Sequence, residues 1–86
     1  MNINILISII KDKIVKNLPC ENVKVEDKTF LHKNHPGNDN NKFHIKLSIK
    51  SLELKKISKI ESNRKIYKIL SKEIKDSIHS LQILIH

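Results

Sequence analysis

The chain has 86 residues and a formal charge of +8, from 17 basic and nine acidic side chains. A chain this short supports one domain, which buries only about 60% of its unfolded surface; with two Phe, one Tyr and no Trp, its core has to be aliphatic. A single cysteine, Cys20, excludes an intramolecular disulfide framework and fits a reducing compartment. Ile and Lys each occur 16 times and Asn nine times, against one Arg, a bias that base composition alone can produce. The charge therefore has two readings: a solvated Lys-rich surface, or a surface for nucleic acid, an acidic membrane or an acidic protein.

Residues 3–18 carry Ile3, Ile7, Ile10, Ile14 and Leu18 at helical spacing, with Asp12 and Lys16 as an i,i+4 pair on the other side. The alternation Asn2-Ile3-Asn4-Ile5 offers a strand instead, but the length of the pattern favours a helix, which Pro19 stops. The apolar start is interrupted by Lys11, Asp12 and Lys13. It is shorter than the roughly 20 residues needed to span a bilayer and lacks a charged leader and a small-residue cleavage site, so it reads as part of the fold.

Residues 22–27 alternate as a short strand with Val23 and Val25 inward. Residues 42–50 give the clearest strand: Phe43, Ile45, Leu47 and Ile49 on one face, His44, Lys46, Ser48 and Lys50 on a wet one. A linker, 51–57, leads to a helix that begins at the capping box Ser58/Glu61 and runs to about Asp76. Ile60, Ile66, Tyr67, Leu70 and Ile74 form its apolar side, and Lys65, Lys68, Lys72 and Lys75 a separate stripe. Residues 79–85 make a last strand with Leu81, Ile83 and Ile85 on one face. The order αββαβ predicts an α+β domain covering 1–86, with a three-stranded sheet and both helices on one face. A helix joins the second and third strands, so if paired they run parallel, with a right-handed crossover.

The stretch 27–44, DKTFLHKNHPGNDNNKFH, holds three of the five histidines and the only glycine. His32 and His35 are spaced HxxH in a proline-containing loop, where two imidazoles can converge on a borderline metal or stand as two solvated polar groups. His44 belongs to the strand, and on spacing alone it is a surface residue. Cys20 has no activating neighbour in sequence and reads as a small hydrophobe. No Ser-His-Asp set, carboxylate pair or phosphate loop is present, so no enzyme is expected.

The chain resembles the BolA-like proteins over nearly its whole length. The matching residues are Asp27-Lys28-Thr29 before the histidine-bearing loop, His44 opening the second strand, and Ser51 after it. Ser58, Arg64, Ile66, Tyr67, Leu70 and Glu73 match the long helix, and Ile78-His79-Ser80-Leu81 the closing "IHAL" signature. The resemblance implies a fold similar to the class II KH domain. It also implies a monothiol glutaredoxin of the CGFS type as partner, with a bridged 2Fe–2S cluster shared between the two proteins and glutathione. The isolated protein is then a monomer without a cofactor of its own, and the pair a heterodimer, in iron–sulfur cluster trafficking or iron regulation. A cytoplasmic location is expected, or an organelle matrix in a eukaryote.

In that register the loop ligand is His32 or His35. The family's Arg-His-Arg is Ser62-Asn63-Arg64, which puts Asn63 where the resemblance implies a helix-borne histidine and leaves His79 as a substitute ligand. Leu54-Lys55-Lys56 stands in place of a Phe-x-Gly motif. Asn63, Arg64, Lys65 and Lys68 are the residues expected to meet the glutaredoxin. The resemblance also extends to DNA-binding transcription regulators. For that role the candidate surface is Lys46, Lys50, Lys65, Lys68, Lys72 and Lys75, which give phosphate contacts without reading sequence. One glycine rules out the GxxG clamp of nucleic-acid-binding KH domains, and few aromatics are available to stack bases. His44 has a positional role by resemblance, and His86 ends the chain.

Overall fold

A computed structural model describes residues 2–29 and 42–86. The elements are α1 (Ile3–Asn17), β1 (Asn22–Asp27), β2 (Phe43–Lys50), α2 (Leu52–Lys55), α3 (Lys59–Ile69), α4 (Ser71–Asp76) and β3 (Ile78–Ile85). The sheet order is β1-β2-β3, with β1 antiparallel and β3 parallel to the central β2. The αββαβ order, the three-stranded sheet and the parallel pairing agree with the expectation from sequence.

Period-2 alternation sets which residues of β2 enter the core: Ile45, Leu47 and Ile49 are buried. Val25 pairs with Leu47 and Val23 with Ile49, so β1 turns its two valines to the same side. Against this face α1 places Leu6, Ile10 and Ile14, and the later helices place Leu54, Ile66 and Leu70. Leu6 was not in the stripe read from the sequence; it takes the core position, while Ile7 is half-buried. Asn2 caps α1 by accepting the Asn4 N–H at 2.7 Å.

Three expectations are corrected. The stretch 51–57 is not simply a linker, because it contains α2. Ser51, fully buried, caps that turn by accepting the Leu54 N–H at 3.1 Å and donates its hydroxyl proton to the Pro19 carbonyl. The long helix breaks at Leu70, where ψ is 17°. Its hydrogen bonds nevertheless continue through the break, from Leu70 to Ile66 and from Ile74 to Leu70. Finally, Ile60 and Tyr67 do not face the core; they are 70% and 45% exposed. The inward positions on α3 are Ser62 and Ile66. Ser62 substitutes for an apolar residue by donating to the Leu54 carbonyl at 3.2 Å. The start of α3 reads as predicted, Ser58 accepting the Glu61 N–H at 3.1 Å.

Lys13 of α1 donates twice to the buried carboxylate of Glu73 on α4, at 2.9 and 2.8 Å. This pair ties the first helix to the last.

Candidate functional site

The stems of segment 30–41 are fixed by a short relay. At the end of β1, the Asp27 carboxylate accepts the Thr29 N–H at 3.0 Å and the Thr29 hydroxyl proton. The Thr29 oxygen in turn accepts the His44 N–H at 3.1 Å, and Lys28 donates its N–H to the His44 carbonyl at 2.7 Å. On the other side Phe43 donates its N–H to the Ser77 carbonyl at 2.9 Å. Both stems therefore lie where β2 begins, and β3 begins there too.

β3 contains an irregularity at this place. Phe43 pairs with Ile78, but His44 pairs with Ser80, so His79 is one extra residue. Ile78 and Leu81 both belong with the core, though they are three apart and strict alternation would send them to opposite faces. The bulge resolves the conflict and sets His79 and Ser80 beside His44. The His44 and His79 ring centroids are 4.7 Å apart, tilted by 46°. His44 Nδ1 lies 2.6 Å from the Ser80 hydroxyl.

His44 is thus not the wet surface residue that alternation suggested; it is 7% exposed. Alternation predicts a face, not what covers it. The signal present in the sequence was the odd spacing of Ile78 and Leu81. His44 does have the positional role implied by resemblance, since its main chain closes the loop stems. His79 is exposed.

His32 and His35 lie outside the described residues. Among the described residues no group of three or more His, Cys, Asp or Glu side chains could hold a metal alone. Cys20 is half-buried; burial and then neighbouring Glu21 push its thiol pKa up, the direction that favours the thiol over the thiolate.

Asn63 stands elsewhere. It is half-buried and lines a groove of about 270 Å³ with Ile83 and Ile85, at the far end of β3 from His79. Its Oδ1 is buried without a hydrogen-bond partner. The structure therefore does not bring Asn63 to the histidine end of the sheet.

Arg64, Lys65 and Lys68 do come together, lining a shallow surface of α3 with Glu61. Exposed Ile60 and Tyr67 lie one helical turn to either side of Arg64, which makes a stripe of apolar and basic groups. Lys72 and Lys75 on α4 are exposed as well. Lys46 and Lys50 are not part of this surface, because they belong to the sheet face opposite the helices. Lys46 sits across from Glu26, which also pairs with Lys28 at 3.0 Å and Lys24 at 3.7 Å. The hydrogen bond from Lys28, followed by the charges of Lys24, Lys28 and Lys46, holds the Glu26 carboxyl below its ordinary pKa. The six lysines considered for nucleic acid thus divide between two sides of the domain.

The family model described as BolA-like protein matches residues 14–86. The chain belongs to the BolA-like family. It is 32% identical over 75 residues to the DNA-binding transcriptional regulator BolA of Haemophilus influenzae, covering 87% of this chain and 70% of that protein. Among solved structures, the BolA domain of SufE1 from Arabidopsis thaliana superposes with a TM-score of 0.77 at 30% identity, covering 93% of this chain and 88% of that one. BolA1 from the same plant gives 0.75 at 23% identity, over 92% and 87%, and shares the fold. Among the described residues of this BolA-like chain, no helix is long and apolar enough to cross a membrane.

Proposed function

We propose that this BolA-like protein is an adaptor that docks a monothiol glutaredoxin and shares with it a bridged 2Fe–2S cluster, held as cargo. One observation carries the reading: the bulge sets an exposed His79 beside buried His44, at the end of the sheet where the His32/His35 segment is rooted. Imidazole is an established iron–sulfur ligand, and a cluster bridged between two proteins asks few donors of each. The donor set therefore fits, with His79 as one ligand and His32 or His35 as the other. The pair with Ser80 holds the His44 ring, against which His79 rests, in the manner of the outer-shell contacts that orient metal ligands. The Ile60–Arg64–Tyr67 stripe, flanked by Lys65 and Lys68, is the surface offered to the partner. The test is anaerobic reconstitution with a monothiol glutaredoxin, iron, sulfide and glutathione, read by visible circular dichroism. The mixed-complex spectrum is expected to be lost in His79→Ala and in the His32→Ala/His35→Ala double variant. An unchanged spectrum in both overturns the ligand assignment.

A second reading rests on Arg64, Lys65, Lys68, Lys72 and Lys75 as a row of exposed cations, and on the relative named as a DNA-binding regulator. Contacts of this kind give affinity that falls steeply with salt. Titration against duplex DNA at two salt concentrations tests it; no binding at low salt excludes it.

A further inference from the structure

The groove at the far end of β3 is a different place with different chemistry. β3 is an edge strand: among the described residues only β2 pairs with it. His86 donates its N–H to the Ile49 carbonyl and accepts the Ser51 N–H, both at 2.9 Å, so its main-chain groups point toward β2. Main-chain direction alternates along a strand, so the N–H and C=O of Ile85 and Ile83 point the other way, out of the sheet. Those residues form one wall of the groove. Asn63 also lines the groove, while its Oδ1 is turned away from solvent and has no hydrogen-bond partner. Leu54 and Ile57 add apolar lining, while Lys55 and Lys59 are the charged side chains among its described residues.

We infer that this groove binds an extended acidic peptide from another protein, which adds as a strand to the outer edge of β3. Its main chain pairs with Ile83 and Ile85, an apolar side chain rests on Leu54 and Ile57, and its carboxylates meet Lys55 and Lys59. Strand addition of this kind takes affinity from main-chain hydrogen bonds and selectivity from side-chain pockets. The site is independent of the histidines and needs no metal, so it stands or falls apart from the adaptor reading.

The experiment uses the metal-free full chain, labelled with 15N, and an end-blocked eight-residue peptide alternating Glu and Val. With this peptide the amides of Ile83 and Ile85 are expected to shift and to gain protection from hydrogen exchange. Replacing Glu by Lys in the peptide, or introducing Lys55→Glu/Lys59→Glu into the protein, is expected to abolish the effect. A ten-residue oligothymidylate serves as the competing probe. The inference is overturned if the oligonucleotide moves these amides and the peptide does not, or if millimolar peptide leaves their exchange unchanged in protein whose thermal unfolding is normal.

Discussion

Substitution of Asn63 by histidine distinguishes position in a motif from position in space. If the place of Asn63 were a ligand site waiting for an imidazole, Asn63→His would strengthen cluster retention in the complex with a monothiol glutaredoxin. The structure argues otherwise. Asn63 shares its groove with Ile83, Leu84 and Ile85, whereas His79 stands at the opposite end of the same strand. A parallel strand rises about 3.3 Å per residue, so the five steps from His79 to Leu84 cover roughly 16 Å. A ligating nitrogen has to come within about 2 Å of its metal, and no histidine side chain bridges that gap. The expected result is that Asn63→His leaves the half-life of the cluster toward a chelator within about twofold of wild type. His79→Ala is expected to shorten it by about tenfold or more, since even residues outside the ligand shell act on that scale. The assay is decay of the visible circular dichroism of the reconstituted complex. A clear gain in retention with Asn63→His refutes the reasoning, because it places the cluster at the helix and not at the bulge.

Thr29→Val removes the hydroxyl that joins Asp27 to the His44 N–H, and is expected to cost about 1–2 kcal/mol in urea unfolding; an unchanged midpoint counts against the relay. Lys13→Ala leaves the Glu73 carboxylate, 6% exposed, without its cation. Its expected cost is about 1–3 kcal/mol, largely recovered in Lys13→Met/Glu73→Leu, because an apolar pair of similar size often replaces an ion pair without loss. Equal destabilisation of the single and double variants refutes this. The lowered pKa of Glu26 contributes stability that is present above its unfolded value and is lost as pH falls through the folded one. Wild type is therefore expected to lose its advantage over Glu26→Gln as pH falls from about 5 through the ordinary glutamate value near 4.3 and below it, the direction in which the folded value lies. A constant difference in unfolding midpoint across that range contradicts the assignment.

Periodicity was enough to find the sheet: Ile45, Leu47 and Ile49 are buried as their alternation predicts, and the pattern fails only at the start of β2, where Phe43 is half-buried and outward-reading His44 is buried. It was less reliable on the helices. Ile60 and Tyr67 are apolar and exposed, while Ser62 and Glu73 are polar and buried. Hydrophobicity reports what a residue tolerates; Ser62 and Glu73 enter the interior because Leu54 and Lys13 are there to satisfy them. Those partners are eight and 60 residues away, beyond the reach of a local pattern. The patterns themselves supplied element order and topology, in agreement with the family resemblance, but a motif register carries no distance: Asn63 lies at the far end of β3 from His79. His32 and His35 lie outside the described residues, on a segment whose stems are rooted beside His44.

The bulge at His79 connects these points. Without it, Ile78 and Leu81 could not both reach the core, and closing the register by one residue would turn Leu81, Ile83 and Ile85 outward together. The extra residue therefore preserves the apolar face of β3 from that point to its end. Its by-product is a side chain that the fold does not need for packing, set beside His44 and the loop stems. The same constraint keeps Ile83 and Ile85 facing the core with their main chain directed to the open edge. Deleting one residue at the bulge should therefore affect both ends of the strand, removing His79 from His44 and rotating the groove wall. Changes confined to either end should leave the other intact.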